Sequence, residues 1–457
     1  MAGIGFELRK ILKEKSFFSL MQVYGYSALL SAGPWVISIV AILVVGLIQI
    51  IHFEAGNDIV RFQIIVTYAF VLAATLVTSG FLQLPFTRYI ADLIYAERED
   101  EVLGTYFGVL IVIWVVGLLF FSLFIAYLLP HEILLNKILI IATFLVLSSI
   151  WISNTLVSSL KFYKQTILAY FVSYGAIVAG SYFFGGNLSS LLFVFFFGNT
   201  LLLSFMIILI IKSYQASSFL SFDFFNRRSF YYSLGLAGLF YNLGTWIDKL
   251  IFWYHPLTGE AIIGNIHASV VYDIPVFLAY LSIVPGMAIF FFRLEADFAE
   301  KYDLFYSNVR ETGTLEVIQK YRYEMADVLR HAIRELIIFQ AIIDIVLFLM
   351  APRIFSILHL PQLYLGLFYI LAVGAMLQLC FMSILAVFYY LDRKHKAMWL
   401  SLLFLVLNAL LTWYSIQLGP DMYGYGYALS LLISLSVSFV LLQRTIEALD
   451  YETYMHQ

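Results

Sequence analysis

The stretch Leu243–Tyr254, LGTWIDKLIFWY, is apolar except for two adjacent charged residues, Asp248 and Lys249. A charge at the centre of a membrane helix costs about 2.5–3.5 kcal/mol on insertion scales, so each residue needs a partner or a function. Because neighbours in a helix point about 100° apart, we expect no good ion pair between these two side chains. A salt bridge to another helix or a snorkelling Lys249 would be structural. The functional alternative is a polar cavity wall that holds substrate hydroxyl groups or carries a coupling proton.

Three further polar residues lie in apolar stretches and are candidates for the same role. Asp344 lies near the middle of the stretch 332–351, and Gln340 precedes it by one turn on the same helix face. Asp273 precedes Pro275 by two residues, and we expect it to lie within reach of Lys249. For Asp344, a structural hydrogen bond to a neighbouring helix and a place in a substrate path are both open.

Aromatic residues make up 18% of the chain. Packing and the interfacial belts of membrane proteins account for most of them. Sugars also present apolar C–H faces that stack on aromatic rings, while tyrosine hydroxyl groups form hydrogen bonds. Two short sets suit such a path: Tyr24, Tyr26 and Trp35 near the N-terminus, and Tyr241, Trp246 and Trp253 around Asp248. These residues are therefore candidate substrate contacts.

The composition excludes a water-soluble protein. Of the 457 residues, 62% are hydrophobic and 12% are charged, whereas a soluble domain averages roughly 45–50% apolar and about 25% charged residues. The sequence therefore predicts an all-α polytopic membrane protein. The eight histidines are scattered and Cys380 is the single cysteine, so we expect no metal site and no cofactor. No GxxxxGK[ST] motif occurs, and we expect neither ATP hydrolysis by a P-loop nor a nucleic-acid partner.

A helix needs about 20 apolar residues to cross the hydrocarbon core of a bilayer. A scan with that length predicts twelve segments: 23–51, 63–84, 105–129, 138–160, 167–184, 191–211, 233–254, 269–292, 332–351, 363–390, 398–418 and 425–443. An even number places both termini on one side of the membrane. Of the 26 Lys and Arg residues, 22 lie on the side of the N-terminus and 3 on the other, with Lys249 inside a segment. The positive-inside rule therefore makes the N-terminal side cytoplasmic.

The segments divide the chain into two halves of six. The boundaries that we predict are a cytoplasmic amphipathic segment at 1–22, an N-terminal six-helix lobe at 23–211, a cytoplasmic linker at 212–232, a C-terminal six-helix lobe at 233–443 and a cytoplasmic tail at 444–457. Within the second lobe, residues 293–331 form a cytoplasmic loop in which Gly313 ends one helix and Thr314 caps another that begins at Leu315. This loop is either a solvated helical hairpin or a docking surface for a cytoplasmic partner.

An internal repeat links the two halves. The chain reads FTRYIAD after the second segment and FFRLEAD after the eighth, so that Arg88 and Asp92 recur as Arg293 and Asp297 at a shift of 205 residues. The same shift carries Ala32-Gly33 onto Ala237-Gly238. Both halves begin on the cytoplasmic side, so the repeat is parallel, and transporters built in this way carry their substrate between the repeats. The recurring Arg and Asp at i and i+4 either support a short cytoplasmic helix or form a gate at the cytoplasmic mouth.

The opening MAGIGFELRKIL, the following YGYSALLSAGPW and the twelve-segment layout resemble the PelG family, the inner-membrane transporters of Pel exopolysaccharide systems. That family belongs with the multidrug/oligosaccharidyl-lipid/polysaccharide (MOP) exporters. The resemblance implies two facing six-helix lobes in the bacterial inner membrane. It also implies export, for the biofilm matrix, of a partly deacetylated polymer rich in N-acetylgalactosamine. The implied partners are the lipid bilayer, a cytoplasmic PelF-like glycosyltransferase, a PelD-like cyclic-di-GMP receptor and a PelE-like membrane protein.

Other function classes compete with polymer export. A cation-coupled drug exporter would have the same fold, and the acidic residues in the membrane do not separate the two. A polytopic glycosyltransferase would need a large external loop or a sugar-nucleotide domain, and the segment pattern leaves no room for either, so we expect no enzyme. A membrane scaffold that anchors a synthase through 293–331 is a further alternative. For an exporter, the energy would come from an ion gradient or from extension of the polymer.

Overall fold

The computed structural model describes residues 33–53, 56–68, 75–160, 162–215, 217–226, 230–310, 313–357 and 360–455. In these ranges the chain forms sixteen α-helices: α1 (Gly33–Phe53), α2 (Gly56–Thr67), α3 (Leu76–Tyr95), α4 (Val102–Leu128), α5 (Leu134–Ser159), α6 (Tyr163–Phe184), α7 (Leu188–Ser213), α8 (Tyr232–Tyr254), α9 (Val270–Ser282), α10 (Val284–Phe292), α11 (Ala299–Arg310), α12 (Leu315–Ile357), α13 (Leu365–Tyr390), α14 (Lys394–Leu418), α15 (Tyr425–Glu447) and α16 (Leu449–Met455). Two strands, β1 (Glu260–Ile263) and β2 (Ile266–Ala268), pair antiparallel. A π-helical turn at Arg293–Phe298 joins α10 to α11.

Ten helical stretches in the described part of the chain are long and apolar enough to cross a membrane. They are Val36–Phe53, Glu99–Leu128, Leu134–Ser159, Lys164–Phe184, Leu188–Ser213, Val270–Phe292, Leu315–Ile357, Gln362–Tyr390, Lys394–Leu418 and Pro420–Glu447. Of the other two predicted segments, 63–84 includes six residues outside the described ranges, and 233–254 lies within the 23-residue helix α8. The predicted class, a helical polytopic membrane protein, is confirmed. The number twelve and the side of the termini stay predictions.

Several helix boundaries follow from local chemistry. Asn187 caps α7, because its side-chain oxygen accepts a hydrogen bond from the backbone N–H of Ser190 at 2.8 Å. The predicted eighth segment is two helices rather than one. Proline has no N–H and is tolerated in the first turn of a helix, and Pro285 lies in the first turn of α10, directly after the break at Ile283.

The predicted cytoplasmic loop forms two helices, α11 and the first part of α12. Helix α11 ends at Arg310 and α12 begins at Leu315, as the Gly313-Thr314 signal predicts. With 43 residues, α12 is about 64 Å long, twice the roughly 30 Å of the hydrocarbon core. Its apolar part is the predicted span 332–351, so the turns before that span extend beyond the hydrocarbon core.

The chain divides into two compact units. The N-terminal unit comprises Pro34–Trp246 and Phe252–Ser269, and the C-terminal unit comprises Ile247–Ile251 and the described residues of Val270–Gln457, together with Gly33. Helix α8 thus supplies residues to both units. Small residues allow close helix contact in each unit, as in many membrane proteins. A Cβ at Gly238 would lie 2.2 Å from the carbonyl oxygen of Gly80 in α3, and a Cβ at Gly426 in α15 would lie 2.4 Å from the backbone nitrogen of Thr412 in α14.

The β-hairpin belongs to the N-terminal unit and closes one end of α4. Its turn needs Gly264, whose φ of +57° lies in the left-handed region and whose Cβ position would be 2.4 Å from the carbonyl oxygen of Leu128. Asn265 donates its backbone N–H to that same carbonyl at 2.8 Å and its side-chain amide to the carbonyl of Tyr127 at 2.8 Å. The hairpin therefore supplies hydrogen bonds to carbonyl groups that the end of a helix leaves without partners.

Candidate functional site

Asp248 and Lys249 form a buried ion pair in the C-terminal unit. Their side chains are 0% and 2% exposed, and the Lys249 Nζ lies 3.1 Å from Oδ1 and 3.0 Å from Oδ2 of Asp248. The expectation that neighbours in a helix would not pair is therefore wrong. The Cα atoms of consecutive residues lie only about 1.5 Å apart along the helix axis. The four-carbon lysine side chain is therefore long enough to bend back over the neighbouring carboxylate.

Side chains from three other helices complete the hydrogen bonding of this pair. Tyr272 of α9 donates its hydroxyl to Asp248 Oδ2 at 2.7 Å, and Asn408 of α14 donates its amide to Oδ1 at 3.4 Å. Lys249 donates to the hydroxyl of Tyr280, also in α9, at 3.0 Å. Its Nζ lies 4.9 Å from the ring centre of Tyr280 and 5.3 Å from that of Tyr427 in α15, distances at which a ring face attracts a cation.

A second layer of contacts fixes these partners. Thr412 donates its hydroxyl to Asn408 Oδ1 at 3.0 Å, and Tyr427 donates to the amide oxygen of Gln378 in α13. Gly374, one turn before Gln378, leaves the space for the ring of Tyr427, because a Cβ there would lie 2.5 Å from that ring. The place of the aromatic ring over Lys249 is thus set by a glycine on another helix.

We call Asp248, Lys249, Tyr272, Tyr280, Asn408 and Tyr427 the charged cluster. The four residues around the ion pair were not predicted from the sequence. Asn408 could have been found, since an amide in the apolar stretch 398–418 must hydrogen-bond inside the protein. The three tyrosines could not, because the chain contains 32 tyrosines and their spacing carries no signal of a shared site.

Buried charge of this kind is expensive in a membrane helix, and such residues usually have a function. Desolvation opposes a buried ion pair, and replacing the pair with apolar residues is often neutral or stabilising. The charged cluster supplies a carboxylate acceptor, an ammonium donor and phenol groups in one place. Such groups can bind the hydroxyl, amide and amino groups of a polar substrate, or hold a proton.

Asp344 and Gln340 form a second buried polar pair in the C-terminal unit. Both residues lie on one face of α12, with exposures of 3% and 0%. The Gln340 amide donates to Asp344 Oδ1 at 2.9 Å and to the carbonyl oxygen of Ser282 at 3.0 Å. Gln340 Oε1 and Asp344 Oδ2 accept no hydrogen bond among the described residues. Asp344 thus accepts its hydrogen bond from its own helix, while Gln340 makes the bond to the neighbouring helix α9, so the structural role and the place in a substrate path both stay predictions for Asp344. Two buried oxygen atoms are left as acceptors for a proton or a cationic group.

The remaining candidate path residues lie on α1, α8 and α9 or outside the described residues. Tyr24 and Tyr26 lie outside the described residues, and Trp35 lies in the first turn of α1. Tyr241 and Trp246 lie on α8 within the N-terminal unit, and both are partly exposed. Asp273 is partly exposed beside Tyr272 in the first turn of α9, and its proximity to Lys249 stays a prediction.

Trp253, in the N-terminal unit, does not offer a free ring face on the side of Tyr68. The two rings stack with their centres 4.5 Å apart, and Trp253 is 3% exposed. This tryptophan therefore packs in the protein interior. The ring of Trp246, whose centre lies 6.3 Å from that of Trp253, is partly exposed and stays a candidate for sugar stacking.

The first copy of the repeated motif forms the ion pair that its spacing predicts. The Arg88 Nε lies 3.2 Å from Asp92 Oδ1, and Tyr231 donates its hydroxyl to Asp92 Oδ2 at 2.6 Å. Burial raises the pKa of Tyr231, and the hydrogen bond to Asp92 raises that pKa further, so the phenol stays protonated as the donor. This motif joins α3 to the start of α8.

In the second copy of the motif, the arginine forms ion pairs with two carboxylates. The Arg293 Nη1 lies 2.5 Å from Asp297 Oδ2, while Nε and Nη2 lie 2.7 Å and 2.5 Å from Glu335 Oε2 in α12. Arg293 opens the π-helical turn, a geometry that is often found at functional sites. Both copies can therefore support helix ends, and a gate at either copy stays a prediction.

A metal centre is not evident in the part of the chain that the structure describes, where no three His, Cys, Asp or Glu residues converge. The charged cluster and the Asp344–Gln340 pair offer hydrogen bonds and charge pairing in an apolar surrounding.

Comparison with solved structures defines the class of fold. A multidrug resistance MATE family transporter of the MOP superfamily, in its outward-facing conformation, has a TM-score of 0.65 at 14% identity, covering 94% of this chain and 96% of that chain. A MOP superfamily transporter from Pyrococcus furiosus has a TM-score of 0.66 at 12% identity, covering 94% and 96%. A MATE family transporter in its inward-facing conformation has a TM-score of 0.58 at 14% identity, covering 94% and 95%. The fold is that of a MOP superfamily transporter.

The family follows from the sequence as a whole. The model of PelG, an exopolysaccharide exporter family (EPS-E), matches residues 1–454. The chain belongs to the PelG family, and the resemblance seen in its opening residues is confirmed. No curated protein matches the chain.

Proposed function

We propose that this chain moves Pel exopolysaccharide, a polymer rich in N-acetylgalactosamine, out of the cytoplasm and across the bacterial inner membrane for the biofilm matrix. The observation that carries the proposal is the match to an exopolysaccharide exporter family over residues 1–454. The MOP transporter fold supports it, because transport is the activity named for the solved structures of that fold.

We further propose that the charged cluster and the Asp344–Gln340 pair line the substrate path. A partly deacetylated polymer carries amino groups, which are cationic at neutral pH, beside many hydroxyl groups. Asp344 Oδ2 and Gln340 Oε1 are buried and accept no hydrogen bond among the described residues, and they suit an amino or hydroxyl group. Asp248 already has a counterion in Lys249, so it adds acceptor capacity without adding net charge.

The proposed partners are a PelF-like glycosyltransferase in the cytoplasm and PelD-like and PelE-like membrane proteins. The α11–α12 hairpin is the proposed docking surface for the glycosyltransferase. Lys301 of α11 lies 2.7 Å from Glu324 of α12, so the hairpin is held as a unit, and it exposes Lys320 and Tyr323. A preformed surface of this kind lowers the ordering cost of binding.

The test is to delete the chain in a producing strain while keeping the synthase, and to measure polymer inside and outside the cells. We expect secretion to stop and polymer or its precursors to stay inside, and wild-type chain should restore secretion. Normal secretion in the deletion strain would refute export by this chain. An Asp421→Asn variant, changed at an exposed position between α14 and α15, serves as the control for expression.

The path residues are tested in the same strain with a variant that keeps the buried charge balanced, Asp248→Asn combined with Lys249→Met. If the charged cluster binds substrate, this double variant should reach the membrane in normal amount and secrete little polymer. Full secretion by the double variant would make the ion pair structural. A pure scaffold would likewise need neither residue, and it would lose function only when the α11–α12 hairpin is removed.

A further inference from the structure

A groove of about 780 Å³ runs between α12 and α15 of the C-terminal unit. Its α12 wall runs from Ala326 to Ile338 at the i, i+3, i+4, i+7 spacing of a single helix face, and its α15 wall runs from Phe439 to Glu447. The volume falls within the roughly 300–1,000 Å³ of sites that bind small molecules. The groove spans the point at which α12 enters its predicted membrane span, residue 332.

Two arginines lie at the end of the groove where the span begins. Arg330 and Arg334 are one turn apart on α12, line the groove and are both exposed. Neither forms an ion pair with another described residue, in contrast to Arg293 and Arg322. The groove wall holds one acid, Glu447, whose side chain accepts a hydrogen bond from Gln443 at 2.9 Å. The charge of the groove lining is therefore positive.

The rest of the groove is apolar and open. It is lined by Ile338, Val440 and Phe439, whose exposed fractions are 49%, 52% and 36%. All three lie within predicted membrane spans, where exposed apolar side chains face lipid. At the end that holds Arg330 and Arg334, Arg322 bonds to the carbonyl oxygen of Glu447 at 3.0 Å and to Asp450 at 2.9 Å, which joins α12 to the end of α15 and to α16. The groove thus has a closed end near the arginines and an open apolar flank.

We propose that this groove binds an anionic glycerophospholipid of the surrounding bilayer. The phosphate group lies between Arg330 and Arg334, and an acyl chain lies along Ile338, Phe439 and Val440. Eight residues separate Arg330 from Ile338, which is about 12 Å along the helix, the step from headgroup depth into the hydrocarbon. Guanidinium groups bind phosphate oxygens in bidentate geometry, and basic pockets between membrane helices bind anionic lipid headgroups. A choline headgroup would place its own cation beside the two arginines and is disfavoured.

The test uses the full-length chain, purified in detergent and exposed to equal amounts of phosphatidylglycerol and phosphatidylcholine, with bound lipids counted by native mass spectrometry. We expect the wild-type chain to retain phosphatidylglycerol in preference. Replacing both arginines, R330Q with R334Q, should lower that affinity about thirtyfold, since each surface arginine contributes about 1 kcal/mol and 1.4 kcal/mol is a factor of ten. The matched control, R310Q with K320Q, removes two exposed cations outside the groove and should leave affinity unchanged.

Two further variants separate the parts of the proposal. V440W fills the apolar flank and should weaken binding while both arginines remain. R330K with R334K keeps both positive charges and should retain binding. It therefore tests the role of charge independently of whether the glutamine variant folds. Equal retention of the two lipids, or unchanged affinity in R330Q with R334Q or in V440W, would overturn the proposal. Displacement of phosphatidylglycerol by a small fraction of polyprenyl phosphate would also overturn it and would assign the groove to a lipid-linked phosphate.

Discussion

Lys249 carries its charge into the interior of the C-terminal unit with a counterion on the preceding residue. The ammonium group has Asp248, the Tyr280 hydroxyl and two aromatic ring faces around it, and the carboxylate has Tyr272 and Asn408. Each charge is therefore compensated only while the other is present. This mutual dependence makes the pair suited to a double-variant experiment.

Single neutral variants of the pair should be strongly destabilised. Asp248→Asn leaves Lys249 as an uncompensated buried cation, and Lys249→Met leaves the Asp248 carboxylate uncompensated, each at a cost of about 3–5 kcal/mol. The double variant removes both charges and should recover most of that loss. The measurement is thermal unfolding of the purified chain in detergent. Additive losses in the double variant would show that the two residues do not stabilise each other.

The ion pair shows the limit of prediction at the level of residues. Apolar context was enough to single out Asp248, Lys249, Asp344 and Gln340, since polar atoms in a membrane span must have partners. The partners themselves could not be predicted, because Tyr272 and Asn408 lie 24 and 160 positions from Asp248 in the sequence. The angle between helix neighbours was the wrong criterion for a side chain as long and flexible as lysine.

At the scale of elements, the N-terminal unit depends on a close crossing of α3 and α8. A Cβ at Gly238 would lie 2.2 Å from the Gly80 carbonyl oxygen, and one at Gly235 would lie 2.8 Å from that of Phe81. Asn242, one turn beyond Gly238, donates to the carbonyl oxygen of Leu76 at 2.6 Å. Backbone atoms, which cannot move aside as flexible side chains can, form one wall of this contact.

Gly238→Ala should therefore separate α3 from α8 and destabilise the protein by about 1–3 kcal/mol, the usual cost of overpacking. The matched control is Gly175→Ala in α6, where an added Cβ meets nothing within 4 Å. That control should be neutral or slightly stabilising, because alanine is about 1 kcal/mol more favourable than glycine in a helix. Thermal unfolding and the amount of chain in the membrane measure both effects. Equal behaviour of the two variants would contradict the close crossing.

The α11–α12 hairpin should lose stability in acid. The Glu324 carboxylate accepts a hydrogen bond from the Lys301 ammonium group, which lowers the pKa of Glu324. Lys320, 3.9 Å away, is a second cation beside it. A carboxyl group whose pKa is lower in the folded chain than in the unfolded chain stabilises the fold at pH values above its unfolded pKa, about 4.3 for Glu. That stabilisation is lost as the pH falls through the pKa of the folded chain. The difference in melting temperature between wild type and Glu324→Gln should be positive at pH 7 and shrink as the pH falls below about 4.

Lys301→Met supplies the control for that pH dependence. Without the ammonium group, Glu324 keeps only its longer contact with Lys320, so Lys301→Met should remove much of the same increment. The two substitutions together should cost little more than either alone. A stability difference that is independent of pH, or two losses that add, would assign the effect to packing instead of the ion pair.

Elements differ in how far the sequence predicts them. The start of α12 at Leu315 was predictable because Gly313-Thr314 is a local stop and start signal. The Arg88–Asp92 and Arg293–Asp297 pairs were predictable because an i, i+4 spacing fixes which side chains meet. The break at Ile283 was missed because a hydropathy window averages across it, although Pro285 marks it. The β-hairpin was missed because its strands are only four and three residues long.

At the scale of the molecule, the distribution of charge along the sequence predicts the sides of the membrane. With Arg334 counted at the N-terminal-side end of its predicted span, 22 Lys and Arg residues lie on the side of the N-terminus and 3 on the other. The positive-inside rule turns this difference into an orientation. Several proposals depend on it, including the docking of a cytoplasmic glycosyltransferase on α11–α12.

Cysteine labelling tests the orientation directly. The chain has one cysteine, Cys380, which is 1% exposed, so Cys380→Ala provides a background without thiols. Into it we would place His131→Cys, in the exposed turn between α4 and α5, or Lys320→Cys, on the exposed surface of α12. In right-side-out spheroplasts, a membrane-impermeant maleimide should label the first and not the second, because only the first lies on the side with few positive charges. Both should react after the membrane is permeabilised, which controls for access. Labelling of Lys320→Cys in intact spheroplasts would reverse the orientation, and the α11–α12 hairpin could then no longer face a cytoplasmic synthase.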